Sequence, residues 1–265
     1  MGNILPRHRA ARLAMLTGMS DNDSAASVTR QNAQSPSTPM STAATRRHPA
    51  AVRLLLAAGI VGPLFFLVVV LVEGATRPGY NALHHPISNL ALGPQGWTLT
   101  VALLILGALQ VCFSVGLRRV LAPGRGSTWG PILIAVTGLA FIAEAFFATD
   151  PSLGYPPGAA ATSTLHGTVH LVLSVLFETP PLLAAIIVIT RRFAQTPAGR
   201  PWVLYSIATI VLVVAVHVLG LAAYLSNDPA SLYGLFQRLE IFTLLGWIAL
   251  LAGRLLTGPA PRLDR

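Results

Sequence analysis

Long apolar stretches separated by short polar connections dominate the chain from residue 53 to residue 256. Six of these stretches are about 20 residues long, the length that a helix needs to cross the hydrocarbon core of a bilayer. They cover residues 53–73, 97–117, 129–148, 166–189, 202–225 and 238–256. The pattern predicts an all-α, polytopic membrane protein built as a bundle of six transmembrane helices.

The two ends of the chain differ from this central region. Residues 1–50 are rich in Ser, Thr, Ala, Asn and Gln and show no apolar period, so we expect a disordered N-terminal tail. Residues 51–257 make up the predicted transmembrane domain, and residues 258–265 form a short C-terminal tail. Three methionines within the N-terminal tail are candidates for alternative translation starts: Met15, Met19 and Met40.

The composition agrees with a membrane protein. Hydrophobic residues make up 53% of the chain and charged residues 10%, less than half of the charged share of about 25% in soluble domains. All 18 basic residues are Arg, and they lie in short clusters between apolar stretches. Because they form no single basic patch, the net charge of +9 does not indicate a nucleic-acid partner. The lipid bilayer is the expected partner, and the single cysteine, Cys112, excludes an internal disulfide.

The arginines predict the orientation in the membrane. They concentrate before the first helix, in the connections after the second and fourth helices, and at the C-terminus. The other three connections and the helix ends beside them hold only Arg77 and Arg238. Positive residues accumulate on the cytoplasmic side, so we expect both termini in the cytoplasm.

The three Arg-poor connections share a pattern, in which a charged residue is followed by Pro and then by Tyr. The matching residues are Arg77, Pro78 and Tyr80, then Asp150, Pro151 and Tyr155, then Asp228, Pro229 and Tyr233. A spacing of roughly 75 residues favours three tandem helical hairpins. Convergence is the alternative, because Pro ends helices and Tyr suits a membrane interface.

Several short segments together resemble a known family. They are Gly59-Ile60-Val61-Gly62-Pro63, Arg77-Pro78-Gly79-Tyr80, Ile87-Ser88-Asn89-Leu90 with Trp97, Phe147-Ala148-Thr149-Asp150-Pro151, His166-Gly167-Thr168-Val169-His170 and Gly234-Leu235-Phe236-Gln237-Arg238. This set resembles a bacterial integral membrane family, frequent in actinobacteria, that is catalogued as domain of unknown function 998. The resemblance covers about residues 53–256. It implies a multi-pass protein of the bacterial plasma membrane and no established activity.

A pair of histidines suggests a metal site. His166 and His170 open the fourth predicted helix at positions i and i+4, so they share one face and suit two imidazole ligands of a zinc ion. Asp150 is a candidate third ligand and a candidate catalytic residue, and Ser88 is a candidate catalytic residue that orients water or substrate. The set is loosely similar to the membrane hydrolases that include alkaline ceramidases, although those have seven helices. The structural alternative is that both histidines cap or pack the end of the helix.

An acidic residue near the membrane midplane indicates a second kind of site. Glu178 lies deep in the fourth predicted helix and is followed by Thr179-Pro180-Pro181, which removes two backbone donors. Ion and proton sites of transporters are often built from an interrupted helix of this kind. A kinked helix with a packed, hydrogen-bonded Glu178 is the alternative. His217 is deep enough in the fifth helix to join the same pathway.

Polar groups on the Arg-poor side predict an outward-facing vestibule. Its expected lining is Arg77, Ser88, Asp150, His166, His170 and Arg238. Arg238 either clamps helices by pairing with an acidic residue (Asp150, Asp228 or Glu240) or binds an anionic group. Three functional classes stay open: a metal-dependent hydrolase of lipid-like substrates, a small proton-coupled permease centred on Glu178, and a non-catalytic accessory protein. Substrate and oligomeric state do not follow from the sequence.

Overall fold

The protein is described by a computed structural model that covers residues 48–258 except residues 125, 161, 227 and 229. Within these residues the regular structure is helical, and no β-strand is formed. The six main helices are α1 Ala50–Thr76, α2 Trp97–Leu121, α3 Trp129–Glu144, α4 Leu165–Phe193, α5 Arg200–Leu225 and α6 Tyr233–Thr257. Most of the predicted N-terminal tail (residues 1–47) and most of the C-terminal tail (residues 259–265) lie outside the described residues.

Five of the helices are long and apolar enough to cross a membrane, namely α1, α2, α4, α5 and α6. Helix α3 is also apolar but has only 16 residues, or about 24 Å at the rise of an α-helix. The prediction of an all-α, multi-pass membrane protein is therefore confirmed. The third predicted span, residues 129–148, corresponds to this shorter helix.

Helix α3 ends earlier than the apolar pattern predicts, at Glu144 instead of residue 148. The backbone then forms a tight turn. The Phe146 N–H donates a hydrogen bond to the Ala143 carbonyl, and the Phe147 N–H donates to the Glu144 carbonyl. The turn leaves the Phe147 carbonyl pointing at α4, where it accepts a hydrogen bond from His170. Hydropathy alone does not detect this turn, because the residues that form it are apolar.

Helix α4 contains a π-helical segment. It is α-helical over Leu165–Leu173, π-helical over Ser174–Glu178 and α-helical again over Thr179–Phe193. Pro180 and Pro181 have no N–H, so they cannot complete the α-helical bonds to the carbonyls four residues earlier. The wider turn accommodates this loss, and such segments are frequent at functional sites.

The helices pack as antiparallel neighbours. Helix α1 lies against α2 and α6, α2 against α3, and α5 against α6. A Cβ atom on Gly138 would lie 2.9 Å from the carbonyl oxygen of Gly107, so glycine lets α2 and α3 approach closely. The fully buried core includes Phe66, Leu106, Phe113, Trp247 and Ile248.

Three connections meet at one end of the bundle and form a surface that we call the cap: residues 77–96, 145–164 and 226–232. Asn89 donates to the Ser152 carbonyl at 3.0 Å and accepts from the Ser152 hydroxyl at 3.2 Å. His84 donates from Nδ1 to the Ser231 carbonyl at 2.9 Å. The first connection is therefore tied to both of the others. The opposite end, with the connections 122–128 and 194–199, is the Arg-rich end.

Candidate functional site

Two cavities occupy the half of the bundle beneath the cap. A small one, of about 40 Å³, lies under the cap and is lined by Ser88, Glu144 and His170 among others; we call it the inner cavity. A larger one, of about 470 Å³, lies between α4, α5 and α6, and we call it the lateral cavity. The side chains that line both cavities are Ser174, Glu178, Gln237 and Ile241. The two cavities therefore meet at one short stretch of α4 and α6.

The lateral cavity opens through the side of the bundle. Helix α4 packs against α5 mainly through Thr179–Phe193, so its earlier part stands away from α5. The side chains along the gap are 44% to 72% exposed, which places the opening where lipid would surround the protein. They are Leu171, Val172, Val175, Leu176, Leu221 and Leu225.

Two carboxyl groups meet at the junction of the cavities. A side-chain hydrogen bond links Glu144 of α3 to Glu178 of the π-helical segment. The Ser174 hydroxyl donates to Glu144 Oε1 at 2.9 Å. Ionised carboxylates only accept hydrogen bonds, so the Glu144–Glu178 bond requires a proton on one of the two groups. Two carboxyl groups that share one proton form a unit that can take up or release it.

A third carboxylate, that of Glu240, lies on the wall of the lateral cavity. Its Oε1 atom accepts hydrogen bonds from the Thr179 hydroxyl and, at 2.9 Å, from His217 Nδ1. These contacts join α4, α5 and α6 at one buried oxygen. Glu240 also interacts electrostatically with Glu178, so the lateral cavity is acidic at its deep end.

The residues proposed for a metal site lie near the start of α4. Asp150 accepts from the Thr164 N–H and from the Thr164 hydroxyl, both at 2.8 Å, and Thr164 is the N-cap of α4. His166 packs its ring against Phe147, while His170 donates from Nδ1 to the Phe147 carbonyl at 2.9 Å. Among the described residues no group of three or more His, Cys, Asp or Glu side chains is arranged to hold a metal ion. The zinc site with His166, His170 and Asp150 stays a prediction.

The two arginines of the predicted vestibule organise the cap and do not line either cavity. Arg77 pairs with Glu73 and donates to the carbonyls of Leu92 and Gln95, each at 3.2 Å. It therefore holds the two ends of the connection 77–96 together.

Arg238 holds the same connection from the opposite end of the sequence. It donates to the carbonyls of Ala82 at 2.6 Å, His85 at 3.0 Å and Gly234 at 3.0 Å, and to the Tyr80 hydroxyl. The clamp that the sequence suggested thus acts on backbone carbonyls and a phenol instead of on an acidic side chain.

Burial controls the titration of the cap. It raises the pKa of the Tyr80 hydroxyl above its ordinary value, although the neighbouring Arg238 acts in the opposite direction. It also lowers the pKa of His85, and the nearby His84 and Arg238 lower it further. The Asn81 N–H donates to His85 Nδ1 at 2.9 Å, so this nitrogen carries no proton. His85 is therefore held as a neutral acceptor.

The structure separates the predicted site residues into three places. Ser88 and His170 line the inner cavity, Glu178 lines both cavities, and His217 lines the lateral cavity. The remaining four lie in or beside the cap, outside both cavities: Arg77, Asp150, His166 and Arg238. Sequence reasoning did not include Ser174, Thr179, Gln237 and Glu240 in the site. For Ser174 a signal existed, because His170, Ser174 and Glu178 recur at every fourth position.

Comparisons with known proteins place this arrangement in a family. Neither the comparison with curated proteins nor that with solved structures gave a match. The family described as "Protein of unknown function (DUF998)" matches residues 60–254, well over half of the chain. The matched region includes all residues that line the two cavities. The chain therefore belongs to the DUF998 family, which agrees with the resemblance seen in its sequence segments.

Proposed function

We propose that the protein is a small proton-coupled permease in which Glu178 is the proton-carrying group. The observation that carries the proposal is the position of Glu178, which borders both cavities and shares a hydrogen bond with Glu144. Proton-coupled carriers need a carboxyl group that a proton and a substrate reach in turn. Glu178 meets this requirement, and the helix interruption at Ser174–Glu178 is typical of such sites.

The inner cavity supplies the proton path in this proposal. It leads from Ser88 under the cap to His170 and the Glu144–Glu178 pair. Its volume of about 40 Å³ has room for about three water molecules, since one water needs about 10–15 Å³. Water between polar side chains can pass a proton from the cap to the carboxyl pair. The lateral cavity is the substrate-binding site in this proposal.

The topology that we propose has six spans, with α3 as the short one, and both termini in the cytoplasm of a bacterial cell. The Arg distribution supports this orientation. The inner cavity then lies on the outer side beneath the cap, and the lateral cavity opens toward the lipid of the outer half. Below them, packed side chains such as Leu182, Ile186 and Trp247 close the cytoplasmic half. Transport requires that this half opens when the outer half closes.

Solute-driven proton movement tests the permease proposal. Purified protein is reconstituted in liposomes that enclose a pH-sensitive dye. Organic cations, amino acids, sugars and organic anions are then applied in turn. We expect one class to change the internal pH. The variant Glu178→Gln should lose this change while it keeps the elution volume and melting temperature of the wild type.

Asp228→Asn is the matched control, since Asp228 is an exposed carboxylate in a cap connection. This variant should transport like the wild type. Folded wild-type protein that responds to none of the four classes would overturn the proposal, as would an unchanged pH response in Glu178→Gln. Orientation is tested separately by maleimide labelling in a Cys112→Ala background. Gln95→Cys should react in intact cells, and Thr128→Cys only after the cells are permeabilised.

A further inference from the structure

The walls of the lateral cavity are suited to an apolar molecule. Leu171, Val175 and Leu221 line it and also border the gap between α4 and α5. A molecule that dissolves in the bilayer can reach the cavity through this gap without crossing the cap. At about 470 Å³, the cavity has the size of a site for a small organic molecule.

The deep end of the cavity has a negative electrostatic character. Glu178 and Glu240 lie there, the described lining residues contain no arginine, and the chain contains no lysine. His217 also lines this wall and donates to Glu240 Oε1, and Glu144 and His170 lie in the inner cavity beside Glu178. A carboxylate in apolar surroundings is costly unless a positive group pairs with it. An anionic ligand would meet repulsion, and an uncharged one would leave two carboxyl groups with His217 as the single basic side chain among the described residues of the cavity.

Aromatic rings also line the cavity. Tyr224 of α5 and Tyr233 of α6 both belong to its wall, with ring centres 5.1 Å apart. The faces of aromatic rings attract cations, and most strongly where water is excluded. The cavity thus combines leucine and valine along the gap with tyrosine and carboxyl groups on its wall.

From these three features we infer that the lateral cavity binds hydrophobic organic cations that enter from the bilayer. The inference rests on the proposed permease function and names its substrate class. When a monovalent cation binds, the Glu144–Glu178 pair releases its proton through the inner cavity, so that the charge of the site stays constant. Each cation is thereby exchanged for one proton. Protons and cations compete for the same carboxyl pair.

Equilibrium dialysis with tetraphenylphosphonium tests the inference on the purified protein in detergent. Tetraphenylborate is the matched probe, because it has the same shape and the opposite charge. We expect saturable binding of about one tetraphenylphosphonium per chain, tighter at pH 8.5 than at pH 6, and no saturable binding of tetraphenylborate. Glu240→Gln should weaken binding about tenfold, and Glu178→Gln should remove the pH dependence.

Two results in the wild type would overturn the inference without any variant. One is the absence of saturable tetraphenylphosphonium binding. The other is equal binding of both probes, which would mean that an apolar or lipid-like molecule occupies the cavity without selection by charge. Unchanged affinity in folded Glu240→Gln would also contradict it.

The path of entry is tested with two substitutions on α5. Leu221 lines the gap, whereas Val214 is similarly exposed but does not line the cavity. Leu221→Trp should slow the association of tetraphenylphosphonium about tenfold, and Val214→Trp should leave its rate unchanged. Equal rates in both variants would exclude entry through this gap.

Failure of the inference can be distinguished from failure of the permease proposal. If the protein does not bind tetraphenylphosphonium but another solute class drives a change of internal pH that requires Glu178, the cation class is wrong and the permease stands. If tetraphenylphosphonium binds as expected but no solute changes the internal pH, the binding site stands and the permease is wrong.

Discussion

The guanidinium group of Arg238 lies 5.5 Å from the centre of the Tyr80 ring and also donates a hydrogen bond to the Tyr80 hydroxyl. Tyr80 belongs to the first connection and Arg238 to the last helix. The contact therefore joins two parts of the chain that are far apart in sequence. It fixes the roof of the inner cavity, since the connection 77–96 also contains Ser88.

Removal of the Arg238 side chain should destabilise the protein. Arg238→Met leaves the carbonyls of Ala82 and His85 without this donor. Hydrogen bonds to charged groups contribute about 1.5–3 kcal/mol each, so we expect a loss of about 3 kcal/mol and a melting temperature lower by roughly 5–10 °C. Thermal unfolding in detergent measures this effect. Arg118→Met, at an exposed position, is the control and should shift the melting temperature by less than about 2 °C.

Helix α6 approaches the first connection so closely that only glycine fits at position 234. A Cβ atom on Gly234 would lie 2.5 Å from the His85 carbonyl oxygen and 2.7 Å from that of Ala82. Gly234→Ala should therefore lower the melting temperature by roughly 5 °C or more, as overpacking costs about 1–3 kcal/mol. Gly253→Ala on the same helix meets no atom within 4 Å and should raise it slightly. If Gly234→Ala left the melting temperature unchanged, α6 would be free to move away from the connection 77–96.

The neutral state of His85 predicts a dependence of stability on pH. Burial, with His84 and Arg238, lowers the pKa of His85 in the folded protein, whereas the unfolded chain has the ordinary value of about 6.5. Below pH 6.5 the unfolded state therefore binds more protons than the folded state. The stabilising contribution is complete above that pH and decreases as the pH falls through the folded pKa.

Melting curves between pH 5 and pH 8 test this prediction. The wild type should lose more stability than His85→Asn toward pH 5, because asparagine keeps an acceptor for the Asn81 N–H but does not titrate. Parallel curves for the two proteins would show that His85 is not responsible.

Gln110 is buried in α2, and its side-chain amide has no hydrogen-bond partner among the described residues. An unsatisfied buried polar group costs about 1–3 kcal/mol. Gln110→Met, which preserves the shape, should therefore raise the melting temperature by several degrees. Leu109→Met at the neighbouring position is the control for the substitution itself. A fall in stability in Gln110→Met would indicate that the amide is hydrated in the membrane.

Asp150 should stabilise the start of α4 whether or not metal is present. Its carboxylate holds the N–H and hydroxyl of Thr164, so Asp150→Ala should cost about 2 kcal/mol in zinc and in chelator alike. Melting temperatures under both conditions, with Asp228→Ala as control, measure this. The metal site would be supported instead if zinc raised the melting temperature of the wild type but not that of the double variant His166→Ala/His170→Ala.

Hydropathy was sufficient to predict the six main helices but not all of their ends. The start of α2 at Trp97 and the end of α5 at Leu225 agree with the predicted ranges. Helix α6 instead begins at Tyr233, five residues before the predicted range, because polar residues in its first turns are satisfied by the cap. Hydropathy counts such residues as unfavourable, although hydrogen bonds to neighbouring backbone make them part of the helix.

The site was predictable one residue at a time but not as a set of contacts. Glu178 stood out as an acidic residue deep in an apolar stretch. Its partner Glu144 and the contact of His217 with Glu240 depend on how each helix is rotated about its axis. The apolar pattern fixes this rotation only weakly when most of the helix surface faces lipid. The lateral cavity has no sequence signal, because it results from the separation of α4 from α5.

The π-helical segment has a consequence for insertions and deletions in α4. A π-helical turn contains one residue more than an α-helical turn. Deletion of Val175 would replace the wide π-helical turn with a narrower one and turn Leu165–Leu173 by about 100° relative to Thr179–Phe193. His170 would leave the inner cavity, and a different set of side chains would face α5. The length of the chain between His170 and the two prolines therefore sets the rotational phase of the outer part of α4.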